Sequence, residues 1–257
     1  MKLVGYELNQ LGSLNRTRMK VGSAELIKRI PNVDIVNNEN FSIWFFSAKR
    51  KVSFVNPVNY LLLIDNIDIL CGVDYYFFDG QLARRWIGWL RSEDYARISF
   101  DFTSVARQFF KFCENNNKTI YILGAKESEL VNFINLILDN FPSLKIVGYN
   151  NGYFQDNDFE LIRDRIKLLQ PDVVICGLGC PKQELISAKI GAISDKISTI
   201  TCGGFIHQTQ TKLQYYPTWV NRLNLRMPYR FIKEPHTRKR LWHYPKFLLL
   251  TFLTMTR

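Results

Sequence analysis

The sequence has no run of about 18 apolar residues, the minimum for a membrane-spanning helix. Its longest apolar tract, 247–253, is broken by Thr251. The first 29 residues are polar and charged and show no apolar leader, so the chain is expected on the cytoplasmic side. Its five cysteines are odd in number and include no CxxC pair, which excludes a disulfide framework and a zinc ribbon. Cys71, Cys113, Cys176, Cys180 and Cys202 are therefore expected as reduced, buried thiols. The three histidines, His207, His236 and His243, lack metal-ligand spacing. Fourteen glycines and nine prolines in 257 residues are too few for a collagen-like or low-complexity chain.

Acid is scarce at one end. From Arg222 to Arg257 there are nine cations against Glu234 alone, so this segment carries +8 of the net +11 and the rest is nearly neutral. A basic, aromatic-rich terminal segment on a neutral globule points to a phosphate-rich partner. With 47% hydrophobic and 22% charged residues the chain can bury a core. Its length fits one large domain or two small ones.

Beyond a weakly patterned segment 1–51, β-branched and aromatic runs alternate with segments of helical period. The predicted strands are 52–55, 75–78, 119–123, 144–148, 172–176 and 197–201, near-continuously apolar as in strands buried on both faces. Leu130, Phe133, Ile134, Ile137 and Leu138 line one helix face, and Phe159, Ile162, Ile166 and Leu169 line another. The expected fold is α/β, a Rossmann-like, mostly parallel sheet with helices on both faces. The expected divisions are 1–51, of uncertain role, a catalytic core at 52–216 and a basic aromatic, membrane-associating appendage at 217–257.

In such folds ligands bind at the carboxyl ends of the strands. Asp79, followed by Gly80, is placed for general-base work, although the same position suits a helix N-cap. Gly124 ends one strand in a tight turn. Tyr149 and Tyr153 flank two asparagines and Gly152, where close ligand approach and stacking are feasible. The run GLGCPKQE, 177–184, supplies a turn at Gly177 and Gly179 and a helix start at Pro181. Backbone N–H groups there, with Lys182, form a generic phosphate site. It is neither a dinucleotide fingerprint nor a Walker A loop. The triplet Asp156-Asn157-Asp158 could hold a divalent metal, but helix capping explains it more simply.

Together these residues resemble the WecG/TagA/CpsF family of bacterial glycosyltransferases (glycosyltransferase family 26), over about residues 52–240. GLGCPKQE resembles the family's GLGxPKQE, Ile146–Phe154 its IVGYxxGYF, and Phe78-Asp79-Gly80 its DG after the second strand. Trp219, Arg230, Glu234-Pro235 and Arg238 resemble its W…RL…EPxR ending. The resemblance implies an inverting, metal-independent transfer from a UDP-sugar to a sugar on a polyprenyl diphosphate, with N-acetylglucosaminyl-diphospho-undecaprenol as the expected acceptor. It assigns Asp79 as base. It places Asn56, Gly124, Tyr149, Gly177, Gly179, Pro181, Lys182, Gln183, Glu184, Gly203, Gly204 and His207 at the donor. Arg222, Arg226, Arg230, Arg238 and Arg240 would meet the acceptor diphosphate and the anionic inner leaflet. No cofactor or metal is expected, self-association into a homo-oligomer is left open, and the implied location is peripheral, on the inner face of the cell membrane.

Two departures bear on specificity. Ser99-Phe100-Asp101 lacks the glycine of the family's GxD, and Gly203-Gly204-Phe205-Ile206-His207 carries His207 near the acid of GGxFD. An N-acetylmannosamine donor is therefore in doubt, and a hexose is equally tenable. A nicotinamide oxidoreductase lacks its glycine fingerprint and its acid about 20 residues on. A non-enzymatic nucleic-acid or membrane-binding protein would explain the basic tail. The interleaved aromatics and aliphatics suit a membrane better than nucleic acid.

Overall fold

The computed structural model describes residues 16–215 and 241–255, with the single positions 217, 220, 222, 228, 229 and 232. Six strands form one parallel sheet: β1 (Lys51–Val55), β2 (Tyr75–Phe78), β3 (Thr119–Gly124), β4 (Lys145–Asn150), β5 (Val173–Gly177) and β6 (Ser198–Thr201). Their order is β2-β1-β6-β5-β3-β4, every pairing parallel. All six predicted strands are present.

Alternation along each strand feeds two cores. Val52, Phe54, Phe77, Ile120, Ile122, Val173, Ile175 and Ile200 face α2 (Phe41–Phe46), α6 (Ala106–Asn115), α7 (Glu127–Asn140) and α10 (Phe205–Thr209). This core is rich in phenylalanine, with edge-on pairs such as Phe41–Phe77 and Phe100–Phe109. On the opposite face, Val55, Tyr76 and Phe78 pack with α1 (Arg16–Lys28), α3 (Pro57–Asp65), α4 (Ile67–Cys71), α5 (Gln81–Arg91) and α11 (His243–Met255). Tyr121, Leu123, Val174 and Cys176 pack there with α8 (Asp156–Leu169) and α9 (Lys182–Gly191). Helices from both ends of the chain thus complete the core around the central unit.

The outer edge of β2 is covered by irregular backbone. Tyr76 N donates to Arg29 O at 2.9 Å and Ile98 N donates to Phe78 O at 3.2 Å. Cys113, Cys176 and Cys202 are buried free thiols, but Cys71 is exposed and Cys180 half-buried, against the expectation that all five bury. Cys71 ends a five-residue helix at the rim, where one face meets solvent. Among the described residues no helix is long and apolar enough to cross a membrane.

Candidate active site

The chain leaves β1 toward one face of the sheet, through α3, and leaves the adjacent β6 toward the other, through α10. That divergence opens a crevice at the carboxyl ends of the two strands, where open α/β sheets bind ligands. Asp79 stands at its β2 side, its N–H donating to Val55 O at 2.9 Å, and is half-buried. Gly80, not Asp79, occupies the N-cap of α5, with φ +116° and no side-chain cap. Asn56 does cap: its Oδ1 accepts the N–H groups of Val58 and Asn59, each at 3.0 Å, and Pro57 opens α3.

Three glycine turns line this region. Gly80, Gly179 (φ +76°) and Gly203 (φ +54°) follow β2, β5 and β6, and a Cβ on any of them would meet nothing within 4 Å. Bare backbone of this kind lets a ligand approach closely. Gly124 and Gly177 serve a different purpose. A Cβ on Gly124 would stand 2.4 Å from Gly177 O, and one on Gly177 would stand 2.9 Å from Ile206 Cδ1. These two let adjacent strand ends close up.

In the 177–184 turn, read as a generic phosphate site, several polar groups have partners within the protein. Gln183 N–H donates back to Gly179 O at 2.9 Å. That donor is engaged inside the turn. Pro181 takes the N-cap of α9, after a cis Cys180–Pro181 bond. The Lys182 ammonium donates to Gly152 O at 3.2 Å and lies 4.2 Å from the centre of the Phe154 ring, joining the loops after β5 and β4. Gly152 N–H also donates to Ala125 O at 2.8 Å, so the β3 loop belongs to the same block.

Gln183 and Glu184 are buried. Gln183 Oε1 accepts the Gly203 N–H at 3.1 Å, and its Nε2 donates to Glu184 Oε1 at 2.8 Å. Ser53 Oγ donates to that same Oε1 and sits 2.8 Å from Thr201 Oγ1. Burial raises the Glu184 pKa, against the lowering pull of the Gln183 and Ser53 hydrogen bonds. Its Oε2 has no partner among the described residues. Ser53 and Thr201 gave no sequence signal, because one hydroxyl in a strand reads as ordinary polarity.

His207, on α10, places Nδ1 2.8 Å from Glu129 Oε1 on α7. Glu129 Oε2 also accepts the Lys126 N–H. Burial opposes ionisation of Glu129, but these partners hold its pKa below the ordinary value. Gly204 caps α10. Tyr149 lies on β4, the edge strand opposite β2, and is not brought to Asp79. Tyr153, with Asn150, Phe154 and Arg165, lines a hollow of about 310 Å³ at that far edge. Asp158 accepts the Gln155 N–H at 2.9 Å as a helix cap. Arg222 is exposed. Arg226, Arg230, Arg238 and Arg240 lie outside the described residues, as does the side chain of Asp156.

One cluster went unread in the sequence as a unit. Arg97 pairs with Phe78 in an isolated parallel bridge, next to Asp79. Its Nη2 lies 2.9 Å from Ser99 Oγ and 3.6 Å from Asp101 Oδ2. Ser99 Oγ in turn donates to Asp101 Oδ2 at 2.6 Å. The spacing Arg-x-Ser-x-Asp, with alternate residues on one side of an extended segment, was the available signal.

A carboxylate beside bare glycine turns, at the carboxyl ends of a parallel sheet, is the arrangement of an α/β enzyme. The chain belongs to the glycosyl transferase WecG/TagA/CpsF family, whose model matches residues 25–257, and is a glycosyltransferase. It is 31% identical over 228 residues to a UDP-Gal:alpha-D-GlcNAc-diphosphoundecaprenol beta-1,4-galactosyltransferase of Shigella boydii, covering 87% of this chain and 92% of that protein. An N-acetylglucosaminyldiphosphoundecaprenol N-acetyl-beta-D-mannosaminyltransferase of Bacillus subtilis (strain 168) is 31% identical over 145 residues, 56% of each chain. Its counterpart in Bacillus spizizenii is 25% identical over 135 residues, 52% of each.

Proposed function

We propose that this protein transfers a hexose, galactose in the first instance, from its UDP-sugar to an N-acetylglucosaminyl group on a polyprenyl diphosphate, with inversion. The observation that carries the reading is Asp79, half-buried at the crevice beside the open turns of Gly80 and Gly203. There it takes the proton from the acceptor hydroxyl as that oxygen attacks the anomeric carbon and UDP departs from the opposite side. The bare turns at Gly179 and Gly203 admit the nucleotide against backbone. Gln183 and Glu184 act through the Gly203 turn as positioning residues. Galactose is favoured because the near end-to-end relative is named for it, while the N-acetylmannosaminyl relatives match about half of the chain. The substitution of His207 near the family acid supports the same choice.

Arg222, Arg226, Arg230, Arg238 and Arg240 meet the lipid diphosphate at the inner leaflet, where guanidinium forks suit phosphate oxygens. No metal takes part in this reading, and EDTA leaves the rate intact. The test is incubation with UDP-galactose, UDP-glucose, UDP-N-acetylglucosamine and UDP-N-acetylmannosamine, each with a short-chain N-acetylglucosaminyl diphospholipid. Turnover with UDP-galactose is expected. Preference for UDP-N-acetylmannosamine overturns the donor, and no transfer from any donor overturns the reading.

A further inference from the structure

Helix α8 follows β4, the strand that ends the sheet, and buries Phe159, Ile162 and Ile166 in the core. Its outer side carries two leucines seven residues apart, Leu161 and Leu168, which are 72% and 83% exposed. Seven residues make two helical turns, so both stand on one stripe, with the exposed Asp164 and Arg165 between them. A helix whose only neighbour is its own sheet keeps that stripe polar.

The hollow at this edge is framed to receive such a leucine. Asp158, Leu161, Ile162 and Arg165 of α8 line it, at the i, i+3, i+4, i+7 spacing of the four residues that form a hole for a knob from a facing helix. Tyr153 and Phe154, from the loop after β4, complete the wall. Leu168 is a knob on the same helix, two turns from its own hole, so a second copy of α8 laid antiparallel is what supplies it. With a two-fold axis between Asp164 and Arg165, Leu168 of each copy falls opposite Leu161 of the other, and Asp164 meets the other copy's Arg165 twice. The helix carries Asp158 and Glu160 in its first half and Arg163, Arg165 and Lys167 in its second. The antiparallel arrangement therefore sets unlike charges together along its length. Within one chain Arg163 pairs with Glu160 and Asp164 at 2.6 and 3.4 Å, and these pairs remain at the rim. An anionic leaflet would meet Asp158, Glu160 and Asp164 and is the poorer occupant.

We propose that this chain forms a two-fold dimer through α8, with Leu168 of each copy seated in the hollow framed by Leu161, Ile162 and Arg165 of the other. The interface centres on one helix pair about 21 Å long. That is small beside a permanent complex, so the dimer forms and dissociates with concentration. The seated leucine also braces the 150–154 loop, which Lys182 holds through Gly152 O.

The test is sedimentation equilibrium of the full chain in mild detergent over a range of concentrations. Leu168→Asp should raise the dimer dissociation constant about tenfold or more. Asp164→Arg and Arg165→Asp, each alone, set like charges across the axis and should weaken the dimer by a similar factor. The two together restore the pairing and should recover most of the affinity. Circular dichroism spectra of all the variants should match the parent, because the side chains are exposed. Leu249→Ser, at an exposed leucine on α11, should dimerise as the parent does. A parent that is monomeric at every concentration overturns the proposal, as does parent-like association of Leu168→Asp. Failure of the double charge reversal to recover affinity overturns the antiparallel pairing on which the proposal stands. Equal loss from Leu249→Ser places the interface elsewhere and overturns it too.

Discussion

Ser53 Oγ donates to Glu184 Oε1 at 2.7 Å and touches Thr201 Oγ1, so adjacent strands β1 and β6 are pinned to α9 beneath the crevice. The pin reaches the surface through Gln183, which holds the Gly203 N–H. A wholly buried carboxyl thus governs the shape of a turn exposed to ligand.

Removing that carboxyl should separate packing from charge. Glu184→Ala leaves the Ser53 hydroxyl and the Gln183 amide without their acceptor, at a cost of about 1–3 kcal/mol in urea unfolding. Glu184→Gln keeps an acceptor and should cost less. Burial raises the Glu184 pKa above its ordinary 4.5, so the folded state holds the proton more tightly than the unfolded chain. The group's stabilising contribution is whole below about pH 4.5 and is lost as pH rises through the folded value. Glu184→Gln lacks this dependence, so its stability should improve relative to the parent as pH rises above the ordinary value of 4.5. A constant difference across that range would show that Glu184 is ionised throughout.

Asp79→Asn should lower turnover by about 10²–10⁴-fold while the unfolding midpoint and UDP affinity hold. Asn keeps the size of Asp and can still cap a helix, so folding should be retained. Near-parent turnover would remove Asp79 from the role of base.

The crevice glycines should divide into two kinds. Gly124→Ala drives a Cβ to 2.4 Å from a backbone oxygen, so it should reduce the yield of folded protein. Gly179→Ala adds its Cβ in open space and should cost only the strain of its positive φ, about 1–3 kcal/mol. Gly179→Val should fold yet lose UDP binding in calorimetry. Unchanged UDP affinity in the valine variant would take Gly179 out of the donor site.

His207→Asp restores an acid near the family position, but here it faces Glu129. Two carboxylates would then stand where Nδ1 and Oε1 are 2.8 Å apart. The variant should lose stability, within about 1 kcal/mol for so exposed a pair. Glu129→Gln should restore it in a double-mutant cycle. The Glu129 carboxyl has a lowered pKa, so its stabilising contribution is present above its unfolded value and fades as pH falls. Additive effects in the cycle would show that the two side chains do not interact.

The sheet was legible because most of its strands are largely buried and read as mainly apolar runs, with Gly, Asn or Asp closing β1 to β5. The helices 126–140 and 158–169 were legible from their period. Helices α1 and α2 were not. Met19 and Leu26 are the only buried large apolar residues within α1, and Phe41–Phe46 is too short to show a period. At the site, Asp79 and the glycine turns were read from their place after strands. The burial of Gln183 and Glu184 was not read, because polar residues at a helix start ordinarily face solvent. Their burial follows from partners contributed by Ser53, Thr201 and Gly203, all distant in sequence. The contacts of Lys182 with Gly152 and Phe154 were not foreseen either, since neither residue is near it along the chain.

The covered edge of β2 bears on how this chain survives its own synthesis. Tyr75–Phe78 is a four-residue aromatic run without charge or proline, the composition that favours intermolecular strand pairing when an edge is bare. Arg29 and Ile98 occupy that edge from two sides. Arg29 lies 46 residues before Tyr75 and Ile98 lies 20 residues after Phe78, so protection is complete only once both flanking segments have emerged and docked. A fragment trimmed to begin after Arg29 would keep every strand and lose that half of the shield, leaving a chain more prone to strand-to-strand aggregation.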